Sequence, residues 1–556
     1  MKKILIFFFI IIDSLLFGES IKFVDLKLNE HFIAPAFKSS CTKCHSDISA
    51  LDNNHNFKCI FCHNGNNKSK NKKIAHKNII NNPSNIKYVK LKCINCHIED
   101  IKNVENSLMS TANGIINITR YLWFEQESFY KKFSTIKTEK TAQIPDKTLV
   151  DDFLRKVCLR CHINTNGSSR FGEHRSSGCS ACHILYNNKG KHLHRFTKKI
   201  PTAQCLHCHN FNRVGMDYVG YFEHDYSRTY RSPIINNKPP AKIYGIYMHR
   251  LSEDIHFRKG MDCIDCHTKN EIMGNGIEQN FKYEAVKIKC LTCHSKGKVI
   301  VTKISGKKLF AKKFNNNILP HKLHKNLECY SCHSVWGFQD FAMNVIREDY
   351  KGYFKWKFLK DTNIPDTQYI LYKSLGDYGD IEKFKRGKIY IPSKQLPPEE
   401  TDYIDNKKKL GVWYIGWAYR RWSDPILGIN QRGRISPVRP DYQFYVSWTD
   451  KDYNVIINNK KMLFNFSPYV PHTTTKYGRG CFSCHNNLKA IGLGYGMIGE
   501  NGKVINTFQL NKDGYQINFP FEKITTLDGK ILQKFLYPNS APLTEKIIKL
   551  LLNFSN

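Results

Sequence analysis

The sequence has no spare cysteine. All twenty cysteines fall in ten copies of the pattern Cys-x-x-Cys-His. We number these copies motif 1 to motif 10 in chain order. Their cysteine pairs are Cys41 and Cys44, Cys59 and Cys62, Cys93 and Cys96, Cys158 and Cys161, Cys179 and Cys182, Cys205 and Cys208, Cys263 and Cys266, Cys290 and Cys293, Cys329 and Cys332, and Cys481 and Cys484. No cysteine remains for a separate disulfide, zinc site or thiol nucleophile.

The spacing within each motif suits covalent attachment of haem. Two cysteines three positions apart can each bond one vinyl group, and the next histidine can bind the iron from the proximal side. A bare Cys-x-x-Cys also fits a redox pair or half of a zinc site. Zinc ribbons need no histidine directly after the pair, so its presence in every motif favours ten c-type haems. The predicted proximal ligands are His45, His63, His97, His162, His183, His209, His267, His294, His333 and His485.

Acidic residues are scarce. The chain has 48 Asp and Glu against 85 Lys and Arg, a formal net charge of +37. Ferric haem carries two propionates, so ten haems lower this charge by about 10 and leave the protein basic. A basic surface suits acidic partners or an anionic membrane face. No nucleic-acid-binding motif accompanies the charge, and we expect no nucleic-acid partner.

Long apolar runs are absent after the N-terminus. Lys2 and Lys3 precede an apolar run at residues 4–12, which is typical of a secretory signal. We predict a signal peptide over residues 1–18, cleaved after Gly18, with an uncleaved anchor as the alternative. No later segment is long enough to span a membrane, and no cysteine near Gly18 indicates lipidation. These features predict an exported protein in the periplasm, with the outer membrane or cell exterior as alternatives.

The chain has little polypeptide for each motif. Nine motifs lie within the 293 residues from Cys41 to His333, and about 33 residues per haem cannot build separate apolar cores. We therefore predict a multihaem cytochrome c fold, with short helices and irregular loops wrapped around packed haems. Aromatic residues between motifs 3 and 4 are expected to pack on haem faces rather than to serve a substrate; they are Tyr121, Trp123, Phe124, Phe129 and Tyr130.

The C-terminal region differs from the motif-bearing region in composition and in its pattern of apolar residues. Residues 334–480 hold no motif, are rich in aromatic residues and alternate as strands do. Segments 442–449 and 455–466 flank a polar turn, which predicts a hairpin. Asn501-Gly502 predicts a second hairpin, and residues 543–552 predict a helix. A long irregular wrap over the haems is the alternative. The predicted domains are a nine-haem domain (19–339), a haem-free, β-containing insert (340–470) and a tenth-haem region (471–556).

Histidines are numerous enough to close every iron. The chain has 23, so 13 remain beyond the ten motif histidines. An iron with two histidine ligands exchanges electrons but does not readily bind a substrate. We predict ten distal ligands, mostly shortly before a motif: His31, His55, His76, His174, His194, His249, His256, His321, His324 and His472. His192, His207 and His224 are left out, although His192 and His194 are interchangeable on sequence grounds.

Several segments resemble a known family. HKLH ahead of CYSCH is similar to cytochrome c3, in which two nearby histidines serve different haems; here these are His321 and His324. HRSSGCSACH, HFRKGMDCIDCH and HTTTKYGRGCFSCH resemble large exported multihaem cytochromes of anaerobic respiration and extracellular electron transfer. The resemblance covers residues 31–333 and 472–485. It implies redox donors and acceptors as partners, such as a membrane quinol-oxidising cytochrome or an outer-membrane porin complex.

Three functions fit these features. Because the ligand count is high enough to close every iron, we favour an electron carrier, which passes single electrons along mostly bis-histidine haems, over a catalyst. The second is a reductase of a sulfur, nitrogen or selenium oxyanion with one open haem. No Cys-x-x-Cys-Lys variant occurs, which disfavours the pentahaem nitrite reductase type. The third is an oligomer or filament with residues 340–556 as the interface.

Overall fold

The computed structural model describes most of the motif-bearing chain and part of the C-terminal region. The described residues are 39–136, 141–167, 173–186, 192–210, 215–223, 242–244, 246–335, 337–350, 398–422, 425–487, 490, 496–498, 504–506, 533–535, 540–541 and 543–553. The predicted signal peptide, His31 and His224 lie outside these ranges. Of His249 the structure describes only the backbone, which lies in a strand.

Helices are short. The longest described helix is Ile94–Asn106, with 13 residues and a kink at His97. Within the ranges given above, no helix has the length and apolar character needed to cross a membrane. The other α-helices are Cys59–His63, Lys72–Ala75, Ile86–Lys92, Leu108–Thr111, Asn113–Leu122, Leu149–Lys156, Ser180–His183, Thr202–Leu206, Ile255–Arg258, Cys263–Cys266, Lys269–Ile272, Lys282–Ala285, Cys290–His294, Leu319–Leu323, Cys329–Cys332 and Glu545–Leu552. The 3₁₀ helices are Cys41–Lys43, Cys158–Cys161 and Cys481–Ser483.

Small sheets connect the motif-bearing helices. Strands β1 to β9 form one parallel pair, β1 with β2, two antiparallel hairpins, β3 with β4 and β8 with β9, and a three-stranded sheet in the order β5-β7-β6. The strands are β1 (Phe133–Ser134), β2 (Ala142–Gln143), β3 (Ile184–Tyr186), β4 (His192–Phe196), β5 (Tyr221–Glu223), β6 (Lys242–Ile243), β7 (Ile246–Arg250), β8 (Lys298–Val301) and β9 (Lys308–Ala311).

The C-terminal region is built on a mixed six-stranded sheet. Its order is β13-β10-β15-β16-β19, with β14 beside β15; β10 is parallel to β15, and β16 is parallel to β19. Two further antiparallel pairs are β11 with β12 and β17 with β18. The strands are β10 (Gly337–Glu348), β11 (Glu399–Thr401), β12 (Lys408–Leu410), β13 (Val412–Trp422), β14 (Leu427–Ile429), β15 (Ile435–Thr449), β16 (Val455–Pro468), β17 (Gly496–Ile498), β18 (Val504–Asn506) and β19 (Gln533–Phe535).

The predicted fold class is confirmed. Short helices and loops carry the motifs, and the C-terminal region contains strands. The first predicted hairpin is the antiparallel pair β15–β16, and β17 and β18 pair on either side of Asn501-Gly502. The last helix begins at Glu545, where the side chain of Thr544 accepts a hydrogen bond from the Ile547 backbone and caps the helix.

A polypeptide core joins the two parts of the chain. It includes Trp123 and Phe153 from helices between motifs 3 and 4, and Trp413 from β13. Trp413 meets Phe153 edge-on with ring centroids 5.0 Å apart, and Phe153 stacks on Trp123 at 5.6 Å. We predicted that Trp123 would pack on a haem face. In the structure it packs on protein side chains instead, because the sheet covers this otherwise motif-free segment.

Charged residues of helix Leu149–Lys156 complete the junction. Asp152 accepts a hydrogen bond from the Trp413 indole at 2.7 Å and pairs with Lys156 at 2.7 Å. Arg155 contacts Asp402, next to β11, at 2.6 Å. All of these side chains are almost fully buried. Buried charges are tolerated only when they are paired and hydrogen-bonded. These pairs therefore fix the position of the helix relative to the sheet.

Candidate haem-binding sites

Each motif forms about one helical turn. Side chains three and four positions apart on a helix share a face, so the two cysteines and the histidine of a motif project together. One backbone hydrogen bond recurs from the histidine N–H to the carbonyl of the first cysteine. It measures 2.9 Å from His45 to Cys41, from His267 to Cys263 and from His485 to Cys481. The described structure holds all twenty cysteines as free thiols, so none is lost to a disulfide.

Seven motif histidines face a second histidine. The ring centroids of these pairs lie between 5.8 and 6.4 Å apart. Every second member belongs to the predicted distal set. The pairs, motif histidine first, are His45 with His76, His63 with His194, His97 with His55, His267 with His472, His294 with His256, His333 with His321, and His485 with His324.

This separation matches one metal ion held between two imidazoles. With metal–nitrogen bonds of about 2 Å, opposed Nε2 ligands place the two ring centres about 6 Å apart. Direct ring stacking would bring the centres closer. The angles between ring planes run from 8° for His55–His97 to 67° for His324–His485. Such a spread is compatible with axial ligation, because each ring can rotate about the axis through the metal.

In most of these histidines, the ring nitrogen Nδ1 already makes a hydrogen bond within the protein. A carbonyl oxygen accepts only from N–H, which leaves Nε2 of the neutral ring free for a metal. Among the paired histidines, Nδ1 donates to a backbone carbonyl in His63, His194, His294, His321, His324 and His333, at 2.6 to 3.3 Å. His183 of motif 5 makes the same kind of bond, to the Thr197 carbonyl at 2.8 Å. Nδ1 lies against a carboxylate in His55, His97, His256 and His267, the partners being Asp52, Asp100, Asp254 and Glu271.

The pairs cross between motifs. His324 precedes motif 9 but faces motif 10, and His256 precedes motif 7 but faces motif 8. His194 precedes motif 6 but faces motif 2. A hydrogen bond from His194 Nδ1 to the Ser49 carbonyl, at 2.8 Å, holds its strand in this position. The two histidines of HKLH, His321 and His324, therefore face different motifs.

Three motif histidines have no such pair within the described ranges. They are His162, His183 and His209 of motifs 4 to 6. Burial lowers the pKa of His162 and of His209 to about 4, so both imidazoles are neutral at physiological pH. Neutral imidazole is the form that binds a metal.

One predicted distal ligand, His174, and one histidine left out of the prediction, His207, lie near these motifs. His174 contacts the rings of Tyr186 and His207, with centroids 5.1 and 5.5 Å away, rather than a motif histidine. His207 is buried, which lowers its pKa to about 4, and its Nδ1 accepts a hydrogen bond from the His174 backbone at 3.2 Å. Of the remaining predicted ligands, His249 is described only as backbone, and His31 lies outside the described residues.

Two buried carboxylates that the sequence did not reveal position the His472 segment. Asp217 accepts hydrogen bonds from the His472 backbone at 3.0 Å and from the Tyr469 hydroxyl at 3.3 Å. Asp254 accepts one from the Thr474 backbone at 2.7 Å and one from Nδ1 of His256 at 2.9 Å. Asp254 thus links two histidine pairs. Only its position two residues before His256 could have signalled this role.

Three aspartates form an acidic cluster elsewhere, near β11. Asp146, Asp402 and Asp405 bring their carboxylate oxygens close together. The ammonium group of Lys409 lies among them, 2.6 Å from Asp402 and 2.9 Å from Asp405. The cluster is therefore an ion-pair network with its own cation.

Comparison with known proteins bears on three motifs directly. No curated protein and no solved structure matches the chain. Residues 255–342 match a family model described as cytochrome c3. This stretch contains motifs 7, 8 and 9 and the histidines His256, His321 and His324. The match, together with the repeated motif, supports a multihaem c-type cytochrome.

Proposed function

We propose that the protein transfers single electrons along ten covalently bound c-type haems. Seven of these haems have two histidine ligands in the pairs given above. The observation that carries the proposal is the recurrence of one ring separation, 5.8 to 6.4 Å, in seven pairs that each contain one motif histidine. Bound haem supplies the one-electron ferric–ferrous couple.

The chain's own residues hold the irons and tune them. The Nδ1 hydrogen bonds fix the tautomer and ring orientation of the ligands and raise their basicity. Carboxylate partners do this more strongly than carbonyl partners, because they carry a full charge. The ligands of motifs 3, 7 and 8 have carboxylate partners: Asp52 and Asp100, Glu271, and Asp254. We therefore expect these three haems to have lower reduction potentials than their neighbours.

Export to the periplasm or the cell surface belongs to the same proposal. The signal-like residues 1–18 support it, as does the cytochrome c3 match, because haem attachment of this kind follows export. The partners are redox proteins, one donating and one accepting electrons, in anaerobic respiration. We also propose that the sheet region takes part in oligomers or filaments. Size-exclusion chromatography with light scattering tests this part of the proposal.

Two measurements on protein purified from its native host test the proposal. Intact mass should exceed the polypeptide mass by ten haems. Electron paramagnetic resonance of the oxidised protein should show low-spin ferric haem. A mass equal to polypeptide alone or polypeptide plus zinc would refute the haem assignment. A stoichiometric high-spin signal from one haem would favour the reductase of an oxyanion instead.

A further inference from the structure

Contacts between motifs do not follow chain order. Motif 5 lies against the segment that leads into motif 3. The Cys179 backbone donates a hydrogen bond to the Ser84 carbonyl at 3.1 Å, and the Ser180 backbone donates to the Ser84 hydroxyl at 2.9 Å. Ala181 packs with Ile86 and Val104, which flank motif 3. Motif 5 therefore adjoins the segment that leads into motif 3.

The following motifs continue in the same direction. Gln204, just before motif 6, donates to the Ala181 carbonyl of motif 5 at 2.8 Å. Thr202 donates to Asp262, just before motif 7, at 2.8 Å. The Thr202 hydroxyl also lies 3.6 Å from the Cys263 thiol. The attachment segments of motifs 6 and 7 are therefore in direct contact.

Motifs 8 to 10 make equivalent contacts. The loop after motif 8 donates from the Lys303 backbone to Asp265 of motif 7 at 2.7 Å. The Phe314 backbone donates to the His294 carbonyl of motif 8 at 2.6 Å, and the Phe314 ring lies 4.6 Å from that of His321, which faces motif 9. The Arg479 backbone, just before motif 10, donates to the Cys332 carbonyl of motif 9 at 3.0 Å.

Motifs 1 to 3 form the opposite end. The Ser40 backbone, just before motif 1, donates a hydrogen bond at 3.3 Å to the carbonyl of Asn67, which follows motif 2. Lys92, next to motif 3, donates to the Phe61 carbonyl of motif 2 at 3.1 Å.

Motif 4 stands to one side of this series. Ile163, directly after motif 4, packs with Ile86 and Val104 and accepts a hydrogen bond from the Gly178 backbone, just before motif 5, at 2.7 Å. Motif 4 therefore lies beside motifs 3 and 5, which also contact each other directly through Ser84.

We propose that nine haem-attachment motifs form one row in the order 1, 2, 3, 5, 6, 7, 8, 9, 10, with motif 4 outside the row as a side branch. This order rests on the proposed function, since it assigns a route to those haems. Direct contact between neighbouring attachment segments would bring their haems close together, and closeness is what rapid electron exchange requires. Electrons would therefore bypass motif 4 when they pass between the two ends of the row.

The positions of the irons test the order directly. Cryo-electron microscopy of protein from the native host locates each iron and ties it to its motif through the thioethers. The iron of motif 3 should have those of motifs 2 and 5 as nearest neighbours, and the iron of motif 4 should lie outside the row formed by the other nine. An iron of motif 4 lying between those of motifs 3 and 5 would overturn the order. Absence of iron would instead overturn the proposed function.

A kinetic measurement distinguishes the branch from the row. A ruthenium photoreductant on Lys72→Cys, an exposed position near motif 1, injects electrons at that end. In a Cys158→Ser/Cys161→Ser variant, which lacks haem at motif 4, every remaining haem should still be reduced rapidly. Rapid reduction confined to motifs 1 to 3 would overturn the order.

The matched control removes a haem from the row itself. In a Cys263→Ser/Cys266→Ser variant, rapid reduction of motifs 8 to 10 should be lost, and its persistence would overturn the order. Circular dichroism and the haem content of each variant identify misfolded protein, and the iron positions of the unmodified chain do not depend on either variant.

Discussion

The imidazole of His472 lies opposite that of His267, with ring centroids 6.3 Å apart, although His472 immediately precedes motif 10 and His267 closes motif 7. Asp217 holds the backbone at His472, and Glu271 holds Nδ1 of His267. From the sequence we predicted His472 as a distal ligand without assigning it to a motif. The structure places its ring opposite the histidine of motif 7.

Replacing His472 should therefore open the haem of motif 7. In His472→Ala, we expect one haem of ten to change from low-spin to high-spin ferric iron, because the imidazole facing His267 is lost. Electron paramagnetic resonance of the oxidised variant measures this change. Lys476→Ala, an exposed position four residues later, is the control and should stay low-spin. An unchanged spectrum of folded His472→Ala would remove His472 from the ligand set.

Replacing Asp254 should raise one reduction potential. Its carboxylate lies 2.9 Å from Nδ1 of His256, which faces His294 of motif 8. In Asp254→Asn the negative charge that favours ferric iron is gone, so we expect an increase on the order of tens of millivolts. Potentiometric titration followed by visible absorbance measures it. Asp452→Asn, in an exposed turn, should leave the titration unchanged; identical curves for both variants would contradict the assigned role.

Acid should weaken the junction between the motif-bearing helices and the sheet. Burial raises the pKa of Asp402, but hydrogen bonds from Arg155 and Lys409 outweigh burial and hold it below its usual value. A carboxyl with a lowered folded-state pKa stabilises the protein fully above its unfolded pKa of about 4. That contribution is lost as the pH falls through the lower, folded-state value. We expect thermal stability to fall steeply below about pH 4.

Asp402→Asn tests this origin of the acid sensitivity. Removing one partner of a buried ion pair should cost about 3–5 kcal/mol at neutral pH and should flatten the pH dependence. Asp405→Asn, in the same cluster but 31% exposed, should cost less than about 1 kcal/mol. Denaturant unfolding at neutral and acidic pH measures both variants. Equal pH dependence in the Asp402 variant and the parent would assign the acid sensitivity elsewhere.

Truncating Trp413 should separate the two parts of the chain. Its ring is 3% exposed, contacts Phe153 and donates to Asp152. Trp413→Ala should reduce the free energy of unfolding by about 3–5 kcal/mol. Limited proteolysis should then cut between the sheet and the motif-bearing region. Phe310→Ala, at a side chain that is 73% exposed, should change stability by less than about 0.5 kcal/mol.

Local features of the chain could be predicted and distant contacts could not. The spacing of each motif predicts a helical turn, and alternation on either side of residues 450–454 predicts the hairpin β15–β16. Trp123 was expected on a haem face, yet it packs against Phe153 and Trp413. Nothing near Trp123 in the chain signals a strand that begins at Val412. The pairing of His194 with His63 could not be predicted for the same reason, because it depends on where strand β4 lies relative to motif 2.

Crossed pairing also bears on how the protein is made. Under the proposed function, residues would leave the export channel from the N-terminus onward, so a haem could be attached at motif 7 long before His472 emerges. Until then motif 7 lacks the histidine that faces His267, and Asp217 lacks its hydrogen-bond partner at residue 472. Motif 2 likewise lacks the histidine that faces it until His194 has emerged. Maturation of an early site is thus completed by the last part of the chain, and a product that stops short of residue 472 would leave an open iron in its middle.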